Sequence, residues 1–134
     1  MYTITTLTAS LLSIIFMIIS IKIIKLRHQY KISLGAYGHE DLERVIRAHG
    51  NFAEYTPITL ILMLCAEANK ANWIILFILA LFFILGRILH AYAFIFNQQH
   101  FKFRVRGMVL TFSILISLAV LNITLVLVKL TNQT

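Results

Sequence analysis

Apolar residues run along this chain in four long blocks separated by three short polar stretches. The blocks cover about residues 4–24, 42–68, 71–97 and 105–130. Each is long enough to cross a hydrocarbon core of roughly 30 Å, which takes about 20 helical residues. None alternates polar with apolar positions as a barrel strand does, and only a helix satisfies its own backbone in hydrocarbon. The pattern predicts an all-α fold, an integral membrane four-helix bundle. With no internal repeat or linker, residues 1–134 read as one domain. The second connection, about residues 69–72, is so short that the second and third helices must be antiparallel neighbours. The first, about residues 28–40, is the only long one, and its Ser33, Gly35 and Gly38 predict irregular backbone.

The second block opens on polar residues. Arg47, Asn51 and Glu54 are spaced four and then three apart, so at about 100° per residue they share one narrow arc. A charge at mid-bilayer costs roughly 2.5–3.5 kcal/mol on insertion scales, so this stripe is expected to face protein or a cavity rather than lipid. In the third block Arg87 follows an apolar run, with His90 and Phe94 three and seven positions later. A buried arginine needs an acceptor, and Glu54 on the antiparallel neighbour is the expected partner by depth. Residue chemistry alone leaves two roles open for this pair, a lock between helices or part of a ligand site.

Composition strengthens the membrane reading. The chain is 60% hydrophobic, against about 45–50% for an ordinary soluble domain, and its mean hydropathy is +0.86. Its net charge of +7 is unevenly placed. Lys25, Arg27, Lys31 and Arg44 flank the first connection and Lys102, Arg104 and Arg106 the third, while Lys70 and Lys129 stand alone at the opposite end. The positive-inside rule then puts the first and third connections in the cytoplasm and both termini on the far side. Anionic headgroups account for the excess of cations, with no need of nucleic acid. The first block has no basic residue ahead of it and no small-x-small cleavage site after it, so it is expected to be retained rather than removed as a signal peptide. Cys65 is alone, which excludes an internal disulfide or thiolate cluster, and its apolar setting predicts an inert thiol. The five histidines contain no His-x-x-x-His or Glu-x-x-His pair, so no metal site is expected.

Residues 42–57 resemble the helix-two signature of the MAPEG superfamily, the membrane-associated proteins in eicosanoid and glutathione metabolism. The matching residues are Glu43 and Arg44, then Arg47, Asn51 and Glu54, then Pro57. Gly86, Arg87 and His90 resemble the third helix of its prostaglandin-synthase branch, and Arg104, Gly107, Met108 and Thr111 the start of helix four in small bacterial members. This resemblance implies a homotrimer in a bacterial inner membrane, binding glutathione between subunits near the cytoplasmic face. It implies that Arg47, Asn51, Glu54 and Tyr55 hold glutathione from one subunit, that Arg87, His90 and Arg104 complete the site, and that Arg27 contributes. Such a set suits a tripeptide with two carboxylates, an ammonium and a thiol: arginine forks for the first, a carboxylate for the second, a cation beside the sulfur. Arg104 is the expected catalytic residue, stabilising the thiolate for attack on a lipophilic small molecule arriving through the bilayer. A third connection longer by one or two residues would put Arg106 in its place. The chain departs from the family at Phe94, where many relatives carry tyrosine, and at Met108, where some branches carry another. A non-catalytic glutathione- or lipid-binding membrane protein is the alternative. A small multidrug exporter is disfavoured, because the first block holds no acidic residue.

Overall fold

A computed structural model describes residues 1–95 and 101–132. It consists of four helices, α1 (Thr3–Tyr30), α2 (Glu40–Ala68), α3 (Trp73–Ile95) and α4 (Phe101–Thr131), with no strand among the described residues. The predicted all-α bundle is therefore the observed one, with differences at the ends. Helix α1 runs on to Tyr30, six residues past its apolar block, because Lys25 and Arg27 are good helix formers whose long stems let the charges reach water. The first connection shrinks accordingly to residues 31–39, where Lys31, Gly35, Tyr37 and Gly38 all have positive φ. Helix α4 begins at Phe101 rather than 105. The predicted end of the third block, at 97, lies outside the described residues.

Helices α1, α3 and α4 are long and apolar enough to cross a membrane. Helix α2 is equally long at 29 residues but misses the expectation of a fourth apolar span, because Glu40, Asp41, Glu43, Arg44, Arg47 and Glu54 crowd its first half. Helix α1 buries Thr5, Thr8, Leu12, Ile19 and Leu26, which makes a narrow seam. Its Leu7, Leu11, Ile14, Ile18 and Ile21 point outward. In water such a surface would aggregate, whereas hydrocarbon solvates it. Helix α2 buries Leu42, Val45, Ala48, Phe52, Thr56, Thr59, Met63 and Ala66 at helical spacing.

Two devices fix the helices relative to one another. Helices α3 and α4 cross at Gly86 and Gly107, where a Cβ on Gly107 would lie 2.7 Å from the Gly86 carbonyl oxygen and 2.8 Å from the His90 nitrogen. Backbones meet there with no room for a side chain. At the other end of the bundle, Glu67 near the C-terminus of α2 reaches the first turn of α1. Its carboxylate accepts from Ile4 N at 3.0 Å, Thr5 N at 2.9 Å and Thr5 Oγ1 at 2.7 Å. Tyr2 at the N-cap of α1 supplies no side-chain cap, so a neighbouring helix does, with the sign of charge that a helix N-terminus favours. Asn122 Nδ2 adds a bond of 2.9 Å to the Leu62 carbonyl, pinning α4 to α2. Beside the first connection, Tyr30 Oη donates to Asp41 Oδ2 at 2.7 Å while its ring stacks on His39. Burial opposes ionisation of Asp41, but the bonds from Tyr30 and from the Leu42 N–H, with the charge of Arg44, hold its carboxyl below the usual carboxylate range.

Candidate functional site

Three helix faces enclose a cleft of about 350 Å³. Helix α2 contributes Arg47, Gly50, Asn51 and Glu54, α3 contributes His90 and Phe94, and α4 contributes Arg104 and Met108. Each set keeps helical spacing of three or four, so one stripe per helix forms the wall. The arc of Arg47, Asn51 and Glu54 read from the sequence is thus brought together with His90 and Arg104 from distant parts of the chain.

Electrostatically the cleft is cationic. Arg47 Nη2 lies 3.2 Å from Glu43 Oε1, in a pair exposed on both sides. Such a pair is worth at most about 1 kcal/mol, so an anion can compete for the guanidinium at little cost. The guanidinium of Arg104 sits 5.0 Å from the centre of the Phe94 ring, which aligns its plane by a cation–π contact. His90 is 2% exposed, and its Nδ1 faces the Arg104 carbonyl at 3.3 Å. A carbonyl only accepts, so Nδ1 carries the proton in that contact, and Nε2 has no described partner. Glu54 is exposed, and no described residue bonds its carboxylate.

Arg87 stands behind this wall rather than in it. It is fully buried, with Nη2 2.9 Å from Asn51 Oδ1 and Nη1 3.5 Å from Thr111 Oγ1, and its guanidinium lies 5.0 Å from the Phe52 ring centre. The expected pairing with Glu54 is therefore incorrect. Glu54 stands at the right depth, but it lies exposed in the cleft wall, and the shorter Asn51 fills the inward position beside Arg87. Among the described residues Arg87 bonds neutral partners only, which adds positive charge behind the cleft.

A profile of the MAPEG family matches residues 5–124. The chain belongs to the MAPEG family. It is 34% identical over 117 residues to the inner membrane protein YecN of Escherichia coli strain K12, covering 87% of this chain and 88% of that protein, and equally to YecN of an O6:H1 strain.

Within this MAPEG chain, the remaining predicted site residues fall outside the cleft. Tyr55 turns its ring edge to Phe112 at 5.3 Å and does not line the wall. Arg27 donates to the Gly35 carbonyl at 3.3 Å and lines a separate recess with Ile24, His28, Lys31, Ile32 and Ser33. Arg104 lines the cleft, whereas Arg106, two residues on and on the other side of α4, is exposed away from it. Cys65 is exposed, facing outward from α2 rather than into the bundle. The sequence reading missed Gly50, although it falls three residues after Arg47 on the same arc. It also missed Thr111 as a partner of Arg87, which follows only once the α3 and α4 crossing is known.

Proposed function

We propose that this MAPEG protein binds glutathione in the cleft and, as a glutathione transferase or peroxidase, activates its thiol toward a lipophilic electrophile. The observation that carries this reading is the convergence of Arg47, Asn51, Glu54 and Arg104 on one cationic cleft open at the protein surface. Arg47 and Arg104 suit the carboxylates and sulfur of the tripeptide, Glu54 its ammonium. Arg104, steadied on Phe94, stabilises the thiolate. In a transfer its sulfur bonds the electrophilic carbon while the leaving group departs with the bonding pair. In peroxide reduction it bonds a peroxide oxygen as the O–O bond breaks, the departing oxygen takes a proton, and a second glutathione reduces the sulfenic acid to the disulfide and water. A homotrimer completes the site, with Arg27 and Tyr55 contributing across or beside a subunit boundary. The cationic ends of α1 and α4 support a cytoplasmic position for the cleft and non-cytoplasmic termini. The YecN name supports placement in a bacterial inner membrane.

The test is ultraviolet absorbance of the purified protein on adding glutathione. A thiolate band that disappears in Arg104→Ala, with the helical fold intact, supports the enzyme. Phe94, lacking the hydroxyl of a tyrosine, favours one second reading, a binder without turnover. Binding by calorimetry with no thiolate band would select that reading, and no binding at all would reject both.

A further inference from the structure

Arg87 lies outside the cleft, yet the shorter of its two described bonds goes to a residue that lines it. A guanidinium donates and never accepts, so the Asn51 atom 2.9 Å from Nη2 is the carbonyl oxygen by chemistry and not by convention. Thr111 fixes the opposite side of the guanidinium. Its hydroxyl donates to the Gly107 carbonyl at 2.8 Å, which leaves a lone pair for Arg87 Nη1. With Oδ1 held inward, the NH2 group of the half-buried Asn51 has no described acceptor and turns to the cleft.

We propose that Arg87 is a positioning residue that locks the Asn51 amide, so that the cleft presents an NH2 donor matched to an acceptor oxygen, a carboxylate or carbonyl, of the ligand. The choice of glutathione as that ligand rests on the function proposed above, while the orientation of the amide does not. A free asparagine can turn either end outward, and its carbonyl set against a carboxylate repels. Arg87 removes that alternative without touching the ligand.

The experiment is a double-mutant cycle on the glutathione dissociation constant, measured calorimetrically on the full chain in one detergent. Arg87→Met is expected to weaken binding about tenfold when Asn51 is present and less than about twofold in an Asn51→Ala background. Equal weakening in both backgrounds, or none in the first, overturns the proposal. Asn51→Asp guards against a misfolded Arg87 variant, because it keeps an oxygen partner for the guanidinium. It is expected to weaken binding about a hundredfold, since the donor becomes a second acceptor, and wild-type affinity in this variant overturns the proposal. If the wild-type protein binds no glutathione, the functional reading fails separately and the ligand-free protein decides. Asn51 side-chain amide protons, identified in nuclear magnetic resonance spectra by their loss in Asn51→Ala, support the orientation if they exchange freely with water. Protected amide protons overturn it.

Discussion

Helix α2 carries one glutamate at its middle, Glu54, and another near its C-terminus, Glu67, and their surroundings could hardly differ more. Glu67 accepts three hydrogen bonds from the first turn of α1. Glu54 stands at the cleft with no described bond to its carboxylate. One carboxylate is consumed by the fold, the other is exposed at the cleft. A charged side chain close to a membrane interior needs a counterpart. Where the protein supplies it, the role is architectural, and where it does not, the carboxylate is open to the ligand proposed above.

The contrast predicts that damage at the two ends registers in different assays. The largest effect is expected for Gly107→Ala, whose added methyl meets the backbone of Gly86 and His90. Detergent unfolding should show a loss of about 3 kcal/mol, and the cleft wall made by His90 and Arg104 should be lost with it. An unaltered melting temperature would show that the crossing is looser than the Gly86 contact indicates. Glu67→Ala should cost about 2 kcal/mol by stripping the N-terminus of α1 of its acceptor, while the folded protein keeps its glutathione affinity. Loss of affinity there would dissolve the distinction between the two ends. Glu54→Ala should do the reverse, leaving stability within about 0.5 kcal/mol and weakening glutathione binding about tenfold. Unchanged binding would return Glu54 to a surface role.

The smallest effect lies beside the first connection. Tyr30→Phe removes a donor to Asp41 in a spot open to water, so the loss of stability should be slight. Because the folded state lowers the Asp41 pKa, this contribution is present above the ordinary carboxylate range, about pH 4, and disappears as pH falls through the lower folded value. Unfolding curves of the two proteins should therefore differ at pH 7 and converge in acid.

The bundle was legible in the sequence because hydrophobic blocks of spanning length have one structural solution in hydrocarbon. The stripe of Arg47, Asn51 and Glu54 was legible because a single helix imposes its own periodicity. What lay beyond reach was lateral. Depth along antiparallel helices pointed to Glu54 as the partner of Arg87, but that Asn51 turns inward instead depends on how the helices are rotated about their axes. The contact of Gly86 with Gly107 required knowing that α3 and α4 are the pair that touch. The length of α1 was underestimated because its last turns are cationic, and a hydropathy pattern ends where the helix does not. Glu67 passed unnoticed for a related reason, since an acidic residue at a helix end reads as a solvated one.

The clasp made by Glu67 also sets an order of events during synthesis. Residues 4 and 5 wait for a partner more than sixty positions downstream, so α1 enters the bilayer with its leading amide groups unclaimed. Only when the second helix has emerged in full can the first be fastened at this end, whereas Tyr30 finds Asp41 only 11 positions on.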